Sequence, residues 1–167
     1  ATPASSFVGA RFNLETRWER QDGDSPPAIP EKALGPWGSA PDLVAPSARL
    51  AHLDLYHLSA PGADFTQAEL IATVLTDAVL DGATFTEAKM SRVRLERSSL
   101  KGAVLKGADL TGADLTGADL TGADLTGANL TSATISGANL DETGLCGADL
   151  SQANLGHVSL REARYCT

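Results

Sequence analysis

From residue 48 onward the chain repeats every five residues, and the register never slips. A period of five fits neither regular element: apolar residues recur about every 3.6 positions in a helix and every second position in a strand. The block centres fall on multiples of five from Leu50 to Tyr165. Of these 24 centres 18 are Leu, and the others are Ala60, Phe65, Phe85, Met90, Ile135 and Tyr165. Two residues before the centre a small side chain stands in most blocks, Ala in 17 of the 24. Each block therefore offers two inward candidates, which is strand-like alternation for three residues followed by a two-residue corner. Ten corners carry Gly, Gly112 and Gly122 among them, and Gly tolerates the positive φ that tight turns need. A short extended piece and a turn, repeated without slip, predict stacked parallel strands in a β-solenoid.

The same residues resemble a known family. The pattern A-(D/N)-(L/F)-x-x, written here as Ala63-Asp64-Phe65, Ala108-Asp109-Leu110, Ala138-Asn139-Leu140 and Ala148-Asp149-Leu150, is similar to that of the pentapeptide-repeat proteins. The resemblance covers residues 48–167. It implies an all-β fold, a right-handed quadrilateral parallel β-helix with four pentapeptides to each square coil. Each centre and the Ala before it would point inward. The 24 blocks then make about six coils, and at roughly 4.8 Å per stacked strand the rod is about 29 Å long. Some members of the family resemble B-form DNA in size and acidity, bind DNA gyrase and confer quinolone resistance. A fold does not assign a function by itself.

Residues 1–47 read as an irregular, Pro-rich N-terminal segment. Ser5-Ser6-Phe7-Val8-Gly9 and Ala10-Arg11-Phe12-Asn13-Leu14 look like two stray pentapeptides out of phase with the main register. Beyond them Pro26, Pro27, Pro30, Pro36, Pro41 and Pro46 forbid a continuous helix or a central strand. A solenoid leaves an apolar core and open strand edges at each end, which require caps. Phe7, Phe12, Trp18, Trp37 and Leu43 are expected to cover the N-terminal end, the alternative being a mobile arm with incidental aromatics. At the other end the repeats run to Tyr165 with no capping helix. The last coil is thus expected to be exposed, covered by a partner (a homodimer through this coil included), or continued in a longer protein. Ala1 is read either as the product of a removed targeting segment or as the start of a fragment.

A twenty-residue coil makes charge readable in three dimensions, because residues twenty apart stack. Residues 68–87 carry Glu69, Asp77, Asp81 and Glu87, net −4. Residues 88–107 carry Lys89, Arg92, Arg94, Arg97, Lys101 and Lys106 against Glu96, net +5. Residues 108–127 return to net −4 with Asp109, Asp114, Asp119 and Asp124. A basic belt is therefore predicted between two acidic coils, with Lys89 near Asp109 and Arg94 near Asp114. The belt is read either as a ladder of cross-strand ion pairs or as a docking surface for an acidic partner. Val93, Ser98 and Val104 break the consensus there.

Cys146 and Cys166 both follow a block centre and lie twenty residues apart. They should occupy the same face of adjacent coils, with Cα atoms about 4.8 Å apart, inside the usual disulfide range. A bridge would staple the last coil and favour an extracytoplasmic compartment (periplasm, lumen or exterior), the cytoplasm being the alternative.

Other chemistry finds little support. His52 and His57 lie on neighbouring faces and His157 five coils away, and two Cys are too few to hold zinc. The consensus Asp residues, one per block, read as a solubility pattern rather than an acid–base pair. No P-loop, dinucleotide fingerprint or nucleophile motif is present, and a filled core leaves no interior pocket. No cofactor, metal or enzyme activity is expected. No apolar run is long enough to span a membrane, and the net charge of −8 argues against direct nucleic-acid binding. The expectation is a non-catalytic structural or protein-interaction solenoid with a protein partner of unknown identity. The alternative is a DNA-mimicking binder of a type II topoisomerase, gyrase.

Overall fold

The computed structural model describes residues 43–166. Twenty-one parallel β-bridges, from Val44↔Asp64 to Gly144↔Arg164, each join a residue to the one twenty further on. Four short strands therefore complete a square turn, and successive turns stack into a right-handed quadrilateral β-helix.

One pentapeptide, 108–112, shows where the backbone groups go. Asp109 N–H donates to Ala88 O of the preceding coil (2.9 Å), while Leu110 and Gly112 N–H donate to Asn129 O (2.7 Å) and Thr131 O (2.9 Å) of the following one. Ala108 N–H donates to Leu105 O (3.1 Å), closing the corner as a turn. The fifth amide, Thr111 N–H, has no place in the ladder. It donates instead to Oδ1 of Asp109 (3.1 Å).

The second corner residue has positive φ from Ser47 (56°) through Glu162 (56°), whether Gly or not. A positive φ there, with the hydrogen bond back across the corner, is the type II turn pattern, which also suits Pro at the position before. Pro46 and Pro61 occupy that position.

Centres and the residues two before them fill the interior. Every centre from Phe65 to Leu140 is 1% exposed or less, and Phe65 and Phe85 stack with ring centroids 5.1 Å apart. Where a polar residue replaces the inward Ala, its hydroxyl donates to a backbone carbonyl: Thr73 to Leu50 O (2.7 Å), Ser98 to Leu95 O (2.7 Å) and Thr143 to Leu120 O (2.9 Å). Such hydroxyls can stand in a dry core because each has a partner.

The ladder begins one pentapeptide earlier than the repeat pattern indicates. Ala45 is fully buried, Ala45 N–H donates to Asp64 O (2.7 Å), and Ser47 N–H donates to Thr66 O (2.8 Å). The boundary expected at 47/48 thus lies at or before residue 43. Leu43-Val44-Ala45-Pro46-Ser47 is a cryptic block, because its centre is a small Ala and its inward residue a Leu. Phe7, Phe12, Trp18, Trp37 and the two stray pentapeptides lie outside the described residues. Leu43, the remaining member of the expected cap, packs half-buried against the core. At the other end burial fades: Leu145 is 4% exposed, Leu155 41%, Leu160 39% and Tyr165 57%.

Candidate interaction surfaces

The belt cations take three kinds of position. Lys89 and Arg94 stand at the outward strand position of two adjacent faces, and Arg92 and Arg97 at the corners that follow. Lys101 and Lys106 begin the corners of the other two faces. The six cations therefore encircle the rod instead of forming a patch on one side.

Five of them meet a carboxylate. Lys89 Nζ lies 2.9 Å from Glu69, and Arg97 donates to both oxygens of Asp77 at 2.9 and 2.8 Å, both in the coil before. Arg94 donates from Nε (2.9 Å) and Nη2 (2.8 Å) to Glu96 of its own coil. Lys101 and Lys106 reach forward to Asp119 (3.3 Å) and Asp124 (3.1 Å). Arg92, at an exposed corner, forms no ion pair among the described residues.

The expected register is present: Lys89 bridges Asp109 and Arg94 bridges Asp114 along the backbone. The charged ends nevertheless go elsewhere. Asp109 and Asp114 turn back to the amide and hydroxyl of Thr111 and Thr116. The cations reach other carboxylates.

The acids respond to this arrangement. The hydrogen bond and charge of Lys89 hold the Glu69 carboxyl below its usual range, and Arg97 does the same for Asp77. Burial opposes charge on Glu96, but bonds from the Thr76 hydroxyl, its own amide and Arg94 outweigh it. Burial likewise opposes charge on Asp119 and Asp124, and the adjacent Thr and Lys groups outweigh it there.

Beside Arg94 and Arg97, a shallow depression is lined also by Asp54, Tyr56, Val74 and Thr76. The nearby Asp77 carboxylate favours the protonated Tyr56 hydroxyl and raises the phenol's pKa. Its ring lies against His57, centroids 3.8 Å apart.

The consensus acids have a structural role that composition alone conceals. Asp64, Asp109, Asp114, Asp119, Asp124, Asn129, Asn139, Asp149 and Asn154 each accept the amide two residues on. These Asx turns satisfy the one backbone donor per block that the ladder leaves over. The exchange of Asp for Asn at this position was the available signal, since a solubility role would not be kept by a neutral amide.

Cys146 and Cys166 lie side by side on adjacent coils at disulfide distance, with Cα atoms 4.7 Å apart. His52, His57 and His157 all sit at separate exposed corners. Among the described residues no three His, Cys, Asp or Glu converge as a metal site, and no helix is long and apolar enough to cross a membrane.

Square coils of four strands, an Ala/Leu interior and an Asx turn on the outward side define a pentapeptide-type β-helix. The family model described as pentapeptide repeats matches residues 48–86, 61–97, 88–127 and 128–164. The chain belongs to the pentapeptide-repeat family. Among solved structures it is similar to a pentapeptide repeat protein from the Arabidopsis thaliana thylakoid lumen (32% identity, 55% of this chain and 61% of that one, TM-score 0.31). It is also similar to one from the cyanobacterium Nostoc (33% identity, 59% and 84%, TM-score 0.44). A third is trypsin-treated QnrB1, a plasmid-mediated fluoroquinolone resistance protein (17% identity, 77% and 83%, TM-score 0.38). The chain thus spans about three-fifths of the Arabidopsis protein's length. No curated protein sequence matches it.

Proposed function

We propose that the protein is a non-catalytic rod that docks a protein partner on its outer faces. The observation that carries this reading is the division of the side chains. Inward positions are filled to 1% exposure or less along most of the rod, whereas outward residues stand in rows twenty apart. Binding chemistry is therefore presented on a rigid surface, which reduces the ordering cost of association.

Within the belt, the edge formed by Lys89, Arg92 and Arg94 is the best candidate contact. Arg92 has no internal ion pair among the described residues and is flanked by two further cations, so it suits an acidic surface on the partner. A photoreactive residue placed at position 92, and in a second variant at position 122 on another edge, tests this in the native host. A discrete protein adduct from 92 and none from 122 supports the reading. No adduct, or equal adducts from both, overturns it.

The cysteine pair at disulfide distance supports a location outside the reducing cytosol. Trapping free thiols in the native host and weighing the intact chain checks this. Two alkylated cysteines would return the protein to the cytoplasm.

The net charge of −8 supports the second reading, a DNA-mimicking gyrase binder, and the basic coil interrupts the acidic surface that reading requires. A supercoiling assay with purified gyrase separates the two. Inhibition near stoichiometric protein would replace the first reading with the second.

A further inference from the structure

We propose that Cys146 and Cys166 form a reversible redox clasp on the last described coil, opened by a dithiol oxidoreductase acting on the folded protein. The pair spans one coil, from the face of residue 146 to the same face of residue 166. Cys166 is exposed and Cys146 half-buried, so an attacking thiolate reaches Cys166 from solvent.

The coil that the clasp holds is the least buried among the described residues. Its centres Leu155, Leu160 and Tyr165 are 41%, 39% and 57% exposed, against 1% for Leu130, Ile135 and Leu140 in the coil before. On the face of the clasp, the backbone bonds across the two coils are Leu145 N–H to Arg164 O and Arg164 N–H to Thr143 O, both 2.8 Å. Each coil of a solenoid contacts only its neighbours, so loosening can stay confined to the last one. Its loosening would expose the now buried Ile135, Leu140 and Leu145 to a partner.

The reaction is thiol–disulfide exchange. A thiolate of the dithiol attacks Sγ of Cys166, the S–S bond breaks, and Cys146 leaves as a thiolate that takes up a proton. The second thiolate of the dithiol then attacks the mixed disulfide and releases Cys166, which is also protonated. The protein gains two electrons and two protons, and the dithiol becomes a disulfide.

The test uses the air-oxidised protein and reduced thioredoxin as the probe, without denaturant. Thiols are counted by alkylation and intact mass, and amide hydrogen exchange is followed in residues 148–166 and 108–127. Two thiols should appear in the folded protein, with exchange in 148–166 accelerated by about tenfold or more and 108–127 unchanged. The double variant Cys146→Ser/Cys166→Ser should exchange like the reduced protein. Free thiols in the air-oxidised protein, a bridge reducible only in denaturant, or unchanged exchange after reduction would each overturn the clasp. If the double variant does not fold, the wild-type comparison still decides.

Discussion

Arg97 reaches back across one coil and grips both oxygens of Asp77 at 2.9 and 2.8 Å, so the basic belt is bound to the acidic coil before it. The Arg97 side chain is 62% exposed, where solvent screening reduces an ion pair's worth. Arg97→Gln should therefore lower the thermal midpoint slightly at low salt. The difference should disappear near 1 M salt, where the screening length is about 3 Å. A large loss that persists at high salt would mean Arg97 acts mainly through packing.

The same ladder sets the acid limit of the fold. Glu69, Asp77, Glu96, Asp119 and Asp124 titrate below their ordinary values in the folded state. Near and below those ordinary values, the unfolded chain binds more protons than the folded one. Their stabilisation is therefore fully present above the ordinary carboxylate range, about pH 4, and lost as pH falls through the lower folded values. Urea midpoints at constant ionic strength should be flat above about pH 5 and fall below about pH 4. Midpoints that hold steady down to the acid extreme would contradict the shifts.

Leu115 is fully buried and Thr116, one residue on, is exposed. Leu115→Lys should cost several kcal/mol and unfold the neighbouring coils, because an unpaired charge cannot enter an apolar core. Thr116→Lys should change the denaturation midpoint little. Equal tolerance would mean that the inward assignment is wrong.

Asp109 accepts both the amide of Thr111 (3.1 Å) and its hydroxyl (2.6 Å). Asp109→Ala should cost about 1 kcal/mol by orphaning that amide. Asp109→Asn should recover most of the loss, as Asn129 and Asn139 accept the same amide in their own blocks. Chemical denaturation of the two variants provides the comparison, and identical losses would remove the amide from the explanation.

A Cβ at Gly122 would meet nothing within 4 Å, yet its φ is +67°. Gly122→Ala should therefore lose about 1 kcal/mol, backbone strain exceeding the chain entropy that Gly costs. Ala72, at φ 53°, already bears that strain. Ala72→Gly, the reverse exchange at the same turn position, should gain about as much as Gly122→Ala loses, because strain and the chain entropy of Gly enter both with opposite sign. Both are read from urea midpoints, and a stabilising Gly122→Ala would contradict the strain argument.

The strict period of five determined the inward Leu and Ala rows, because an unslipping register leaves no freedom in which residues face the core; with the four-sided coil that the family resemblance implies, it also brought Cys146 beside Cys166. It did not reveal the Leu43–Ser47 block, whose small centre Ala45 hides it. Tertiary structure decided which carboxylate each cation meets. Backbone register puts Lys89 equally beside Glu69 and Asp109, but Asp109 is held by the Thr111 amide and hydroxyl, while Glu69, one methylene longer, reaches the ammonium at 2.9 Å. Tertiary structure also decided that the belt is a ring, since consecutive blocks turn a corner and carry their cations around the rod. Stacking follows from the repeat once each coil has four sides, whereas side-chain partners depend on reach and on competition between neighbouring donors, which appear only once the coils are built.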